Sequence, residues 1–190
     1  MKIQKNTIIK IPNDISLIYC NKKKIIIFLG SNQKKSLKLK LKLLISKCKK
    51  FVKVTLVTFA EISNTEKKKL KSLQGTTVAL LKQLIIETST TLYQKLKLVG
   101  IGYRYFPVEN FENKLVSFKM GFSHLIHFKM SEKINFFCKK NTQLFLLGNS
   151  YQHLTQTASL IRAIKKPEPY KGKGILYSNE TITLKKGKKI

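Results

Sequence analysis

The chain has 190 residues, of which 38 are lysine or arginine and 9 are aspartate or glutamate, so its formal net charge at pH 7 is +29. A free domain seldom carries such an imbalance, because self-repulsion opposes the compact state unless a polyanion neutralises it. Hydrophobic residues make up 43% of the chain, which excludes a purely disordered basic tail. RNA or DNA is therefore the leading expected partner, with an anionic membrane surface as the alternative.

Composition also bears on the compartment. All but two of the basic residues are lysine, and isoleucine, phenylalanine and asparagine are abundant, which is typical of an AT-rich genome. The isolated cysteines Cys20, Cys48 and Cys138 lack paired spacing and fit a reducing compartment. The N-terminus shows neither a secretory h-region nor an Arg- and Ser-rich presequence, and the longest purely apolar run, 25–29, is too short to cross a bilayer. These features predict a soluble protein made where it works.

Taken in chain order, residues 7–59 are predicted to form short strands, because β-branched or alternating apolar residues are separated by turn sequences. The predicted strands span 7–11, 15–20, 24–29 and 51–59. The turn at 21–23 should join the second and third as a hairpin. Between 37 and 43, leucine alternates with lysine, which places the two residue types on opposite faces of a sheet. We interpret the lysine face as solvated, with an RNA-binding face as the alternative.

From about Glu61 the apolar spacing changes to three and four residues, which predicts a long helix. Ser63 or Asn64 is the expected cap. Gly75 inside this helix costs about 1 kcal/mol relative to alanine, so we interpret it as a point of close packing against the sheet. The residues expected to face the core are Leu70, Leu73, Thr77, Leu80, Leu81, Leu84 and Ile85.

The same order of elements follows Thr91. The predicted strands span 93–101, 115–120, 125–128, 134–138 and 143–147, with a loop at 107–113. A second helix after 148–150 should turn Leu154, Ala158, Ile161 and Ala163 inward. This repeated order predicts an α+β fold of two similar small domains, 1–91 and 92–190, each a mainly antiparallel sheet with one long helix packed on it.

The sequence offers no catalytic constellation. His124 and His127 would point to opposite faces of a strand, and His153 has no cysteine or carboxylate motif beside it, so no metal site is expected. The acidic residues are scattered without the spacing of an acid–base pair. No enzyme activity, cofactor or small-molecule substrate is therefore expected, and an RNA-modifying enzyme would need a catalytic group that the sequence does not contain.

The most distinctive stretch is 165–174. Pro167 and Pro169 fix φ and prevent the preceding helix from continuing. Gly172 and Gly174 then permit positive φ. Lysines and a tyrosine on such a stiff turn provide point charges, a ring and a hydroxyl for a phosphate backbone. The alternative is an ordinary polar linker, since short motifs of lysine and glycine recur by chance.

Four stretches, in this order, resemble the large-subunit ribosomal protein six family, of the bacterial type. They are LVGIGYR (98–104), GFSH (121–124), QxAxxIR (156–162) and PEPYKGKGIxYxxE (167–180). The resemblance is strong over 92–190, and the first half matches mainly in layout. It implies two α+β domains and a structural role in the large ribosomal subunit. The implied partners are large-subunit rRNA near the sarcin–ricin loop and the base of the factor-binding stalk, together with neighbouring ribosomal proteins.

The resemblance also implies which residues meet rRNA. In and near the 165–174 stretch they are Tyr170, Lys171, Gly172, Lys173, Gly174, Arg162, Lys165 and Lys166. The basic tail adds Lys185, Lys186, Lys188 and Lys189. Secondary candidates are Ser123, His124 and Arg104.

The sequence departs from the family pattern at Leu125, where a proline is usual, and at Leu176, where an arginine is common. This divergence, with the AT-rich composition, predicts an organelle-encoded protein of the mitochondrial ribosome, with the bacterial cytoplasm or a plastid as alternatives. The alternative function is a peripheral membrane protein that binds anionic lipid through its lysine-rich face.

Overall fold

A computed structural model describes residues 7–48, 50–59, 64–108 and 114–187. The predicted helix start at Glu61 with Ser63, most of the predicted 107–113 loop, and the tail residues Lys188 and Lys189 lie outside this range. The chain folds as two compact units, Met1–Thr91 and Leu92–Ile190.

The first unit is built from two antiparallel sheets and a helix. Its described elements are β1 (Ile8–Lys10), β2 (Ser16–Cys20), β3 (Ile25–Leu29), β4 (Lys34–Lys38), β5 (Leu41–Ile45), β6 (Phe51–Thr58) and α1 (Asn64–Ser89). The sheets have the orders β1-β6-β5 and β2-β3-β4. The predicted hairpin is confirmed, since β2 pairs with β3 in a register that sets Leu17 opposite Phe28. Both of those side chains are buried in the unit's core.

The alternation of leucine and lysine between 37 and 43 has the predicted effect on burial. Leu39, Leu41 and Leu43 are buried, whereas Lys40 and Lys42 between them are exposed. The stretch is not one strand, however, because residues 39–40 separate β4 from β5 and the two strands belong to different sheets. Both sheets turn their apolar face toward one core, so the period of two continues through the break.

Helix α1 buries a stripe that is rotated from the predicted one. Leu81 and Ile85 are buried as expected, but Leu80 is 44% exposed and its assignment to the core is wrong. Val78 and Gln74 are buried instead, and the Gln74 Nε2 donates a 2.7 Å hydrogen bond to the Val54 carbonyl in β6. Polar side chains with a partner of this kind extend the buried stripe beyond its apolar members.

The expectation that Gly75 marks close packing is also wrong. Gly75 is exposed, and a Cβ built on it would meet nothing within 4 Å. Close approach occurs at Gly30, after β3, where a Cβ would collide with the carbonyl of Thr88 near the end of α1. The glycine that this helix requires is therefore on the segment that packs against it.

The second unit repeats the plan with a larger sheet. Its described elements are β7 (Leu92–Val99), β8 (Arg104–Val108), β9 (Leu115–Lys119), β10 (Ile126–Lys129), β11 (Ile134–Lys139), β12 (Gln143–Gly148), α2 (Tyr151–Ile164) and β13 (Gly174–Tyr177). The sheets have the orders β11-β12-β7-β13 and β10-β9-β8. Pro107 and Val108, predicted to lie in a loop, belong to β8 and pair with β9, so that part of the prediction is wrong.

The core of the second unit lies between its helix and its sheets. Leu154, Ala158 and Ile161 of α2 are buried as predicted, whereas Ala163 is exposed. Ala163 lies two residues beyond Ile161, which is about 200° around a helix of 3.6 residues per turn. The fully buried Tyr105 and Phe118 rings meet edge to face, with centroids 5.3 Å apart.

The predicted α+β class is confirmed. Every strand pairing among the described residues is antiparallel, and each unit has one described helix against its strands. One difference is that each unit divides its strands between two sheets. Each leucine- and lysine-rich strand has one apolar face that must be buried. Two short sheets and a helix enclose a core for these faces, whereas one short sheet would leave the core open to solvent.

We expect Gly75→Ala to stabilise the first unit. An exposed helical glycine costs about 0.5–1 kcal/mol relative to alanine, and the added methyl group meets no neighbour. Thermal unfolding followed by circular dichroism should show a midpoint about 2–8 °C higher. Gly30→Ala is the contrasting variant and should lower the midpoint. A lower midpoint for Gly75→Ala would instead support the packing role that the sequence suggested.

Candidate nucleic-acid interface

The segment between α2 and β13 forms a closed, hydrogen-bonded loop. The Ile175 N–H donates to the Lys165 carbonyl, and the Glu168 N–H donates to the Lys173 carbonyl, both at 2.9 Å. Near the tip, the Gly172 N–H donates to the Glu168 carbonyl at 2.9 Å. These bonds hold 168–173 as a tight turn and present its tip residues outward.

Two glycines make this turn possible. Gly172 has φ of +68° and Gly174 has φ of +150°, both in the region that disfavours side chains. At Gly174 a Cβ would lie 2.7 Å from the Pro167 Cα and 2.8 Å from the Lys166 carbonyl oxygen. The two backbone strands at the base of the loop thus touch, and the proline that ends the helix is the surface against which Gly174 packs.

The predicted contact residues at the tip of the loop lie on its outer side, whereas Gly174 at its base is buried. Tyr170 is 54% exposed and Lys171 beside it is exposed, while Lys173 is partly buried. The tail runs back along the loop, because the Lys185 N–H donates to the Pro169 carbonyl at 2.9 Å. Lys185 and Lys186 are thereby brought beside the turn, both exposed. Sequence-distant lysines converge on one surface.

The 121–124 turn also joins this surface. The Lys165 Nζ lies 4.4 Å from the centroid of the Phe122 ring, and that ring lies 6.0 Å from the ring of His124. Contact between a cation and an aromatic face is attractive, so it connects the end of α2 with the turn. Ser123 and His124 are exposed. Sequence reasoning missed Phe122, although its place in the GFSH motif was a usable signal.

The Tyr103 ring packs against the 121–124 turn at Gly121. A Cβ on Gly121, whose φ is +72°, would lie 3.3 Å from the Tyr103 ring. The same ring covers Gly100. Arg104 follows Tyr103, begins β8 and is exposed opposite Lys119 of β9. The two glycine-containing motifs that the sequence singled out therefore meet at one tyrosine.

Arg162 has a partner within the chain. Its Nε donates to the Glu180 Oε2 at 3.0 Å, its Nη2 donates to Oε1, and its guanidinium carbon lies 5.6 Å from the Tyr177 ring. The hydrogen bond from Arg162 holds the pKa of Glu180 below its usual range. The same bond raises the pKa of Arg162. The Glu180 Oε2 also accepts from the Tyr177 N–H at 3.2 Å, so the pair fixes the turn after β13.

Neither a metal site nor a membrane-spanning helix is found among the described residues. His127, far from pairing with His124, has its Nδ1 2.8 Å from the Ser117 Oγ. Among residues 7–48, 50–59, 64–108 and 114–187, no three histidine, cysteine or acidic side chains come together to hold a metal ion. Across the same part of the chain, neither helix is long and apolar enough to cross a membrane.

The fold and the loop define a class of strongly basic α+β proteins whose distinctive surface is an exposed, lysine-bearing turn. The family model of "Ribosomal protein L6" matches residues 100–178. That range includes residues 100–104 of the first glycine motif and all of the second, together with α2, the 165–174 loop and β13.

Bacterial relatives extend the match. The chain is 35% identical over 128 residues to the large ribosomal subunit protein uL6 of Neisseria gonorrhoeae, which covers 67% of this chain and 70% of that protein. It is 37% identical over 124 residues to uL6 of Listeria monocytogenes, covering 65% and 67%. It is 41% identical over 115 residues to uL6 of Pseudoalteromonas translucida, a match that covers 60% of this chain and 63% of that protein. The chain belongs to the ribosomal protein L6 family, and it is a structural protein rather than an enzyme.

We expect Gly174→Ala to loosen the loop. A methyl group there collides with backbone at Pro167, and the residue must also keep φ near +150°, at a cost of about 1–3 kcal/mol. Amide hydrogen exchange should accelerate at Gly172 and Ile175, whose N–H groups close the loop. Gly187→Ala is the matched control, because a Cβ on Gly187 meets nothing within 4 Å. Equal exchange in the two variants would contradict the close approach.

We expect Glu180→Gln to remove a pH-dependent part of the stability. The folded pKa of Glu180 is lowered, so its contribution is complete above the unfolded pKa of about 4.3 and is lost as pH falls through the folded pKa. The unfolding midpoint of the wild type should therefore approach that of Glu180→Gln as pH falls from 7 to 3. Arg162→Gln should remove the same component. If the difference in unfolding midpoint between the wild type and Glu180→Gln stayed constant with pH, the Arg162–Glu180 pair could not be the source of that difference.

Proposed function

We propose that this protein is a structural constituent of the large ribosomal subunit that binds large-subunit rRNA through the 165–174 loop and the adjoining tail. The observation that carries the proposal is the close backbone approach at Gly174, because it fixes a turn whose exposed tip bears Lys171 and Tyr170. A turn held rigid before binding loses little entropy when it meets a partner. The membership of the L6 family selects a ribosomal partner over an anionic membrane.

Recognition at this loop relies on charge and shape. Lysine is a point charge on a flexible stem, suited to phosphate oxygens rather than to base edges. Lys166, Lys171, Lys185 and Lys186 are exposed around one turn, and Lys173 is partly exposed. Gly172 adds no side chain near the tip, so an RNA backbone can approach the turn closely there, whereas Gly174 is buried against Pro167. Binding of this kind is strongly dependent on salt.

The proposal gives Arg162 a positioning role. Its guanidinium is occupied by Glu180 and stacks on Tyr177, so much of its charge is neutralised inside the protein. It holds β13 and the following turn, and β13 begins at Gly174. Lys165, drawn over Phe122, similarly couples the loop to the 121–124 turn, which brings Ser123 and His124 to the edge of the same surface. Lys188 and Lys189 stay predicted rRNA contacts of the tail, and Arg104 stays a predicted secondary contact.

The proposed location is near the sarcin–ricin loop and the base of the factor-binding stalk, where the protein would support the region that binds translation factors beside other large-subunit proteins. The mitochondrial ribosome is the proposed compartment, from the AT-rich composition. A bacterial or plastid ribosome is the alternative, and the bacterial relatives fit a bacterial one. Cell fractionation followed by sedimentation decides between them by the particle that carries the chain.

The direct test removes two charges from the loop. Lys171→Ala with Lys173→Ala should weaken binding to an RNA fragment that contains the sarcin–ricin loop and stalk base, and should lower the slope of log affinity against log salt by about 1 per lysine. Lys22→Ala with Lys23→Ala is the control, since it removes equal charge from an exposed turn of the first unit. Filter binding between 50 and 200 mM salt measures both.

The outcomes separate the parts of the proposal. For 6–10 phosphate contacts the wild-type affinity should fall roughly 10³–10⁵-fold over that salt range, and a flat dependence would reject phosphate binding. Equal losses in the two lysine pairs would mean that net charge rather than the loop is responsible. Chemical footprints of bound RNA that fall outside the sarcin–ricin loop and stalk base would reject the location alone.

A further inference from the structure

The outer face of the sheet β11-β12-β7-β13 has an unusual composition. Its inner face carries the fully buried Leu96, Leu144 and Leu146. On the outer face, Tyr93 is 66% exposed and Phe137 is 60% exposed. A solvated face of an antiparallel sheet is normally polar, and exposed aromatic side chains in a cluster mark a binding surface.

Strand registers place the aromatic residues and lysines of this outer face in rows. Phe137 of β11 lies opposite Phe145 of β12, which lies opposite Lys95 of β7. In the next row, Leu147 lies opposite Tyr93. Side chains directly opposite one another are about 4.5–5.5 Å apart at Cβ, and successive rows are about 7 Å apart. The face is therefore a continuous platform rather than a scatter of separate side chains.

Positive charge borders the aromatic residues. The Lys95 Nζ lies 5.1 Å from the centroid of the Phe145 ring. Lys139 and Lys97 occupy the row on the other side of Phe137 and Phe145. The twelve outward positions of the registered pairs contain no aspartate or glutamate: Tyr93, Lys95, Lys97, Val99, Asn135, Phe137, Lys139, Gln143, Phe145, Leu147, Gly174 and Leu176. The platform is complementary to a polyanion.

We propose that this face is a second RNA-binding surface, for an unpaired RNA segment whose bases stack on Phe137 and Tyr93 while Lys95 and Lys139 meet its phosphates. Base faces are free only where RNA is unpaired, and aromatic side chains on a four-stranded sheet suit their recognition. The lysines argue against a protein partner, because lysine is depleted in protein–protein interfaces. The inference goes beyond the loop, whose lysines bind phosphate without stacking, and shares with it only an RNA partner.

The absence of tryptophan from the chain gives this proposal a direct optical test. Phe137→Trp puts a single fluorophore on the platform, and Leu160→Trp puts one on the exposed side of α2, where Leu160 is 51% exposed. The probes are a 12-nucleotide oligouridylate and a 12-base-pair RNA duplex. The oligouridylate should quench the emission of Phe137→Trp and leave that of Leu160→Trp unchanged, and the duplex should quench neither.

Affinity measurements complete the test. By fluorescence anisotropy with labelled oligouridylate, Phe137→Ala should weaken binding about 5- to 150-fold, the equivalent of losing one stacked base, and Phe137→Tyr should restore most of it. The exposure of residue 137 means that the fold does not depend on its ring. Lys139→Ala should weaken binding and reduce its salt dependence.

Several results would overturn the proposal. If saturating oligouridylate leaves the emission of Phe137→Trp unchanged, the platform proposal is rejected. If Lys171→Ala with Lys173→Ala then still weakens binding to the rRNA fragment, the loop proposal survives alone. A response of Phe137→Trp to RNA-free large-subunit proteins but not to oligouridylate would assign the face to a protein partner. If the chain bound neither the oligouridylate nor the rRNA fragment, both proposals would be rejected.

Discussion

The constraint on which this structure depends is the repulsion among its own positive charges. With a net charge of +29, two small cores must form without enclosing lysine, and none of the described lysines is buried. Alternation achieves this in the strands, as between Leu39 and Leu43, where every second side chain is a buried leucine and the intervening lysines are exposed. The same alternation that builds the core thus spreads charge over the surface, and a polyanion relieves the repulsion that remains.

Two of the scarce acidic residues, Glu87 and Glu180, are used inside the units, whereas Asp14, Glu132 and Glu168 are exposed. Glu87 is buried at the end of α1, where it accepts from the Gln83 Nε2 at 2.8 Å and lies 3.5 Å from the Lys35 Nζ. Glu180 binds Arg162 and orders the turn after β13. In both cases a carboxylate neutralises one basic side chain and stabilises the end of an element. Most lysines are left for an external partner.

Local patterns in the sequence were sufficient for some features and not for others. Alternation predicted the burial of Leu41 and Leu43, and two prolines followed by two glycines predicted a turn with positive φ, because both signals are carried by neighbouring residues. The exposure of Leu80 was not predictable in this way, since the orientation of α1 is set by strands far away in sequence. The expectation that Gly75 marks close packing was wrong, because helix propensity gives the free-energy cost of a glycine in a helix but not the reason for its presence.

The candidate site shows the same limit. The resemblance implies Arg162 as an rRNA contact, and no local pattern indicates its partner Glu180, which is 18 residues away and is reached only after the loop and β13 have folded back. The aromatic platform was not visible in the sequence at all. Phe137 and Tyr93 are ordinary strand residues until the topology decides which face of the sheet α2 covers. Contacts of this kind depend on tertiary structure, which local spacing does not encode.

The predominance of lysine explains why backbone rigidity matters so much here. Only Arg104 and Arg162 are arginine, and Arg162 is paired within the protein, so the planar, bidentate recognition of phosphate that arginine provides is largely unavailable. Lysine has no fixed geometry of its own. The shape of the surface must then come from the backbone, through Gly174 packed on Pro167, or from rigid rings on a sheet, as at Phe137. Since β13 begins at Gly174 and pairs with β7, the loop and the platform share one strand, and the rigidity of the sheet holds both.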